Sequence, residues 1–139
     1  MNKWIIAIRL KTLPAAISPV LLGSSLSYKH GYFSSLIFFM TLFAAILIQI
    51  GTNFANDVYD FQKGTDRDDR LGPIRATQAG LISPEKMKVG MLGTFSIAIL
   101  VGCYLAWIGG LPIVFIGIAS IIAGIAYTGG PYPLGYNGF

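Results

Sequence analysis

Four long apolar runs constrain the fold of this chain more than any other feature of its sequence. They cover about residues 13–28, 33–55, 89–107 and 111–127, and a stretch of about 20 apolar residues is long enough to cross a bilayer as a helix. Only 12% of the 139 residues are charged, against about 25% in a typical soluble domain. Because lipid offers no partner to unpaired backbone groups, each run is predicted to be helical. We therefore predict an all-α fold, a polytopic transmembrane helical bundle in which residues 1–139 form a single domain.

The basic residues lie almost entirely on one side of the predicted bundle. Nine of the ten Lys and Arg residues precede the first run or lie between the second and third, and Lys29 is the exception. Lys and Arg collect in the cytoplasmic loops of membrane proteins. We therefore expect the N-terminus, the 57–88 loop and the 128–139 tail on the cytoplasmic side of the membrane. This bias accounts for the net charge of +4, so no nucleic-acid partner is expected.

The acidic residues all lie between the second and third runs. If the second helix continues through Asp60, a rotation of about 100° per residue aligns five polar residues within an arc of about 100°. Ionisable groups at membrane depth usually line a bundle interior or an aqueous cavity. A solvated helix end would explain the mixed charges from Asp66 to Arg70, but it would not explain an aligned stripe. We interpret the stripe as a functional site formed by Gln49, Asn53, Asn56, Asp57 and Asp60.

The chemistry of this stripe favours a hard cation and a phosphate ligand. Carboxylate and amide oxygens suit Mg²⁺, which is usually held by one or two carboxylates together with substrate phosphates. No His or Cys lies near the stripe in the sequence, and this argues against zinc or copper. Basic residues that follow the stripe can hold phosphate oxygens by charge-assisted hydrogen bonds, although each can equally be explained by the cytoplasmic bias. They are Lys63, Arg67, Arg70 and Arg75.

Four segments, in order along the chain, resemble the UbiA superfamily of intramembrane prenyltransferases. Residues 56–60, Asn-Asp-Val-Tyr-Asp, resemble the first Asp-rich motif of that family, and residues 9–14 resemble the entry to its first helix. Residues 71–82 and 127–136 are similar to segments of the branch that prenylates 1,4-dihydroxy-2-naphthoate in menaquinone biosynthesis. The family's larger bundle has a second Asp-rich motif, which does not occur here. We therefore expect this chain to be the N-terminal half of such a bundle and to be incomplete or inactive as a fragment.

The resemblance implies transfer of a polyprenyl group from its diphosphate to 1,4-dihydroxy-2-naphthoate, with Mg²⁺ as cofactor and membrane lipid as surroundings. It implies that Asn56, Asp57 and Asp60 are catalytic and that Asn56, Asp60 and Asp66 hold the metal. The residues it assigns to substrate binding are Arg9, Asn53, Lys63, Arg67, Arg75 and Gln78.

Three alternatives remain open at this point. A sibling enzyme that acts on 4-hydroxybenzoate would share the first motif but should lack the Thr-Gly-Gly-Pro-Tyr-Pro-Leu-Gly segment at 128–135. A transporter fragment would use the polar stripe to line an ion path. A non-catalytic membrane subunit would bind diphosphate without turnover.

Overall fold

The computed structural model describes residues 2–64 and 75–136. Within these ranges the chain forms α-helices and short 3₁₀ turns, and no β-strand, which confirms the all-α prediction. The 3₁₀ turns cover Leu10–Thr12 and Leu134–Tyr136. The α-helices are α1 Lys3–Ile8, α2 Leu13–Lys29, α3 Ser35–Lys63, α4 Pro84–Gly109 and α5 Leu111–Ala126.

The lengths and compositions of the helices are those of a membrane bundle. Among the described residues, Lys3–Lys29, Ser35–Lys63 and Pro84–Gly109 are long and apolar enough to cross a membrane, whereas α5 is apolar but has 16 residues. Large apolar side chains such as that of Trp107, which is 89% exposed, cover the outer surface. The chain is therefore an integral membrane protein, and the predicted helical bundle is confirmed with three long helices and one shorter apolar helix.

The connection between α3 and α4 is shorter than the predicted loop of residues 57–88. Helix α3 continues through Asp60 and ends where Gly64 adopts a left-handed conformation with φ 64°, which glycine adopts without a steric penalty. Helix α4 begins at Pro84, where the side chain of Ser83 accepts a hydrogen bond from the Lys86 N–H at 3.4 Å. Asp57, which the prediction placed in the loop, therefore lies in a helix.

Helix α3 is the central element and contacts α1, α2, α4 and α5. Its C-terminal half contributes Phe54, Ala55 and Val58 to the buried apolar core, together with residues of α4 such as Phe95. The two helices approach closely at Gly51, where an added Cβ would lie 2.7 Å from Phe95 Cε1. The core therefore lies beside the polar stripe and keeps that end of α3 in a defined position.

Candidate active site

The last turns of α3 carry polar side chains that are turned into the protein. Asn53, Asp57 and Asp60 are 2%, 0% and 2% exposed, and Asn56 is partly buried. Buried polar groups are costly unless they are hydrogen-bonded. The partners of these four side chains therefore determine what each can do.

Asp60 is covered by partners from different parts of the chain. The Arg75 guanidinium forms an ion pair with Asp60 Oδ2, and the Tyr136 hydroxyl donates a hydrogen bond to Asp60 Oδ1. Arg75 also donates from Nη1 to the carbonyl oxygen of Asn56 at 2.6 Å. The side chains of Arg75 and Asp60 are 5% and 2% exposed. A buried carboxylate and a buried guanidinium thus compensate each other in the centre of the site.

The segment 127–136 lies over the end of α3. Thr128 Oγ1 donates to Asn56 Oδ1 at 2.8 Å, and Lys63 Nζ donates to the carbonyl oxygens of Thr128 at 2.7 Å and Gly130 at 3.3 Å. The Lys63 ammonium also lies 5.5 Å from the centre of the Tyr136 ring. Thr128 and Tyr136 are site residues that the sequence analysis missed. The only signal for them was the similarity of residues 127–136 to one branch of a family.

The side chains of Asn53 and Asp57 form hydrogen bonds with two further segments of the chain. Asn53 Nδ2 donates to the carbonyl oxygen of Ile8 at 2.7 Å and to Thr12 Oγ1 at 2.8 Å. Asp57 Oδ2 accepts from the Ala76 N–H at 3.0 Å, and Asp57 Oδ1 accepts from the Thr77 N–H at 2.9 Å. Both residues therefore attach neighbouring segments to α3.

Each of these two segments carries a predicted substrate-binding residue. Arg9 lies between α1 and the first 3₁₀ turn with φ 54°, and it is the one non-glycine residue with positive φ in the described ranges. The bonds of Asn53 flank this position on both sides. Gln78 is partly buried and follows Thr77 in the turn that Asp57 holds. Asp66 and Arg67 lie outside the described residues.

The oxygen donors at Asn56 and Asp60 fit a hard cation. They are four residues apart, which places them on the same helix face. Within residues 2–64 and 75–136 there is no group of three or more Asp, Glu, His or Cys residues that could hold a metal ion. One amide oxygen and one carboxylate form a partial ligand set, and this suits Mg²⁺, which completes its coordination with waters and substrate phosphates.

Comparison with known proteins identifies the family of the chain. Residues 16–139 match the model of the UbiA prenyltransferase family. The chain belongs to this family. The resemblance seen in the sequence is thereby confirmed, and UbiA prenyltransferases generally depend on a divalent metal.

The similar curated UbiA proteins include three bacterial relatives named 1,4-dihydroxy-2-naphthoate octaprenyltransferase. The Escherichia coli protein is 37% identical over 97% of this chain and 46% of its own length. The Haemophilus influenzae protein is 38% identical over 99% of the chain and 47% of its own length. The Bacillus subtilis protein is 35% identical over 92% of the chain and 41% of its own length. This chain thus spans about half the length of the curated relatives it matches, and no solved structure matches it significantly.

Proposed function

We propose that the protein transfers a polyprenyl group from its diphosphate to 1,4-dihydroxy-2-naphthoate in menaquinone biosynthesis. The observation that carries this proposal is the cluster of partly buried Asn56 with buried Asp60 and Arg75, since it combines oxygen donors for a cation with a guanidinium for phosphate oxygens. The printed names of the relatives supply the acceptor, 1,4-dihydroxy-2-naphthoate. They also favour this acceptor over 4-hydroxybenzoate.

In this proposal Asn56 and Asp60 are the ligands for a Mg²⁺-bound diphosphate. Mg²⁺, when bound, supplies positive charge against the diphosphate oxygens. Arg75, which pairs with Asp60 in this structure, would be suited to bind the phosphate oxygens through two parallel hydrogen bonds. The other proposed contributors to the metal and diphosphate site are Arg9, Lys63, Asp66, Arg67 and Gln78.

The chain's own residues promote departure of the diphosphate. As the bond between the prenyl C1 atom and the diphosphate oxygen breaks, its electron pair leaves with the diphosphate, and Arg75 and Lys63 stabilise the negative charge that develops there. The electron-rich naphthoate ring then attacks the allylic cation, and the ring carboxylate leaves as carbon dioxide. Such charge stabilisation is strongest in a preorganised site that excludes water, and the 2% exposure of Asp60 meets that requirement.

We propose that the N-terminus and the α3–α4 connection face the cytoplasm. The diphosphate would then be bound where α3 leaves the membrane, and the polyprenyl tail would extend between the helices into lipid. The distribution of basic residues supports this orientation.

Four hydroxyl groups in the membrane helices give no support to the transporter alternative. Those of Ser18, Ser25, Thr94 and Ser120 each donate to the carbonyl oxygen four residues earlier in their own helix, at 2.7–2.8 Å. Within the described part of the chain these hydroxyls are therefore satisfied locally and do not extend the polar stripe through the bundle.

The proposal is tested by measuring the binding of geranyl diphosphate, with and without Mg²⁺, to the chain in lipid nanodiscs. We expect Mg²⁺-dependent binding that weakens by on the order of 100-fold in Asp60→Asn, because this change removes a charged metal ligand. Glu85→Gln is the matched control, since it removes the same charge at an exposed position and should bind like the parent chain.

Prenyl transfer to 1,4-dihydroxy-2-naphthoate, assayed beside 4-hydroxybenzoate in membranes with Mg²⁺, tests the reaction itself. The assay uses the chain alone and the chain extended through its own downstream reading frame. Transfer to the naphthoate by the extended version supports the proposal. Diphosphate binding without transfer by either version would favour the non-catalytic subunit, and the absence of both in folded protein would overturn the assignment.

A further inference from the structure

The two carboxylates of the Asn-Asp-Val-Tyr-Asp motif have different partners, and this difference assigns different roles to them. We propose that Asp57 is a positioning residue, which holds the turn that presents Arg75 to the diphosphate site, and that it is not a metal ligand. This inference rests on the proposed function, in which Arg75 binds diphosphate.

The first argument is the surroundings of the Asp57 carboxylate. Both of its oxygens accept backbone hydrogen bonds, from Ala76 at 3.0 Å and from Thr77 at 2.9 Å, and the residue is 0% exposed. Asp57 lies about 100° around the helix from Asn56, its neighbour in sequence. The carboxylate is thus turned to a pair of adjacent N–H groups and is closed to solvent, which is the environment of a structural anion and not that of a ligand awaiting substrate.

The second argument is the construction of the turn that Asp57 holds. The carbonyl oxygen of Ala76 accepts from the N–H groups of Leu81 at 2.9 Å and Ile82 at 3.2 Å, and the carbonyl oxygen of Thr77 accepts from the Gly80 N–H at 3.0 Å. Residues 76–82 therefore close on themselves around Ala76, which is 0% exposed. Attaching the N–H groups of Ala76 and Thr77 to α3 orients the whole turn.

The third argument is the position of Arg75 directly before these two residues. The Arg75 guanidinium contacts both the Asn56 carbonyl oxygen and Asp60. Asp57 holds the backbone at Ala76, the residue that follows Arg75. Hydrogen bonds to a charged acceptor are stronger than those between neutral groups, so the carboxylate holds this backbone more firmly than an amide would. Loss of the anchor should therefore misplace the guanidinium while leaving Asn56 and Asp60 in place.

Hydrogen exchange tests the anchor directly and does not depend on any substrate. In Asp57→Ala and in the milder Asp57→Asn, we expect peptides covering residues 75–82 to exchange on the order of tenfold faster, because hydrogen bonds to charged groups are lost. Peptides from the middle of α4 should be unchanged and serve as the control. Unchanged exchange over 75–82 in both variants would overturn the inference, and Asp57→Asn provides the measurement if Asp57→Ala does not fold.

A binding cycle separates positioning from metal ligation and from a general loss of stability. Asp57→Asn should weaken geranyl diphosphate binding by the folded protein about tenfold, without changing the Mg²⁺ concentration that gives half-maximal binding, as expected for loss of a charged hydrogen bond. In an Arg75→Gln background the same change should have no further effect, because coupled residues are not additive. Asp60→Asn, in contrast, should raise the Mg²⁺ requirement.

The outcomes distinguish the inference from the function on which it rests. An Asp57→Asn variant that raises the Mg²⁺ requirement as Asp60→Asn does, or that still weakens binding when Arg75 is replaced, would show that Asp57 acts on the ligand itself and would overturn the inference. Absence of both geranyl diphosphate binding and prenyl transfer, in the folded parent chain and in its extended version, would instead refute the proposed function. The exchange measurement would then still decide whether Asp57 anchors the turn.

Discussion

The C-terminal end of α3 and helix α5 belong to the same bundle but have opposite relations between polarity and burial. At the end of α3, Asp57 and Asp60 are 0% and 2% exposed. Helix α5 has no buried residue, and Phe115 on its surface is 69% exposed. In lipid an exposed apolar side chain carries no penalty, whereas a polar group needs a partner within the protein. Burial in this chain therefore indicates where polar partners meet as much as where apolar side chains pack.

The two regions also differ in how far apart their partners lie in sequence. In α5 the Ser120 hydroxyl donates to the Ile116 carbonyl oxygen, four residues earlier at 2.7 Å. At the end of α3, Tyr136 reaches Asp60 across 76 residues, and Asp57 binds N–H groups 19 and 20 residues away. Substitutions at the end of α3 should therefore disturb several segments at once, and the effects of those in α5 should remain local.

The largest effect on stability is expected at the buried ion pair. Asp60→Asn or Arg75→Gln alone should each lower the free energy of unfolding by about 3–5 kcal/mol, because either change removes one partner of a buried ion pair. The double variant should recover much of this loss while remaining unable to bind diphosphate. Denaturant unfolding in detergent micelles measures both, and losses that simply add in the double variant would show that the pair is not coupled.

A smaller effect is expected at Asn53. Asn53→Ala removes the hydrogen bonds to Ile8 and Thr12 and should cost about 2–3 kcal/mol, since partly buried acceptors then lack their donor. Ser25→Ala is the matched control, because the Ser25 hydroxyl donates within its own helix, to Leu21 at 2.8 Å. The same unfolding measurement applies. Equal losses in the two variants would contradict the contrast between long-range and local partners.

The smallest effect on stability is expected at two helix glycines that differ only in the space available for an added methyl group. Gly51→Ala places a methyl group against the Phe95 ring of α4 and should cost about 1–2 kcal/mol through overpacking. Gly93→Ala meets nothing within 4 Å and should be neutral or slightly stabilising, because alanine favours a helix over glycine. Thermal unfolding of both variants checks this, and a neutral Gly51→Ala would mean that α3 and α4 are less closely packed than the structure shows.

Much of this protein follows from properties that a sequence carries locally. Apolar runs predict membrane helices wherever they occur, and the helical period alone aligned Asn53, Asn56, Asp57 and Asp60 on one side of α3. Four segments in order along the chain, at residues 9–14, 56–60, 71–82 and 127–136, also led to the UbiA family without any knowledge of contacts.

The tertiary structure alone decided what each polar residue of the stripe contacts. Its members share a helix face and similar chemistry, yet Asn53 and Asp57 attach backbone segments, whereas Asp60 meets Arg75 and Tyr136. It also showed that α3 continues to Lys63, beyond the apolar run that ends at about residue 55. Periodicity determines which direction a side chain leaves its helix, but the group that it meets there belongs to a distant part of the chain, and only folding brings the two together.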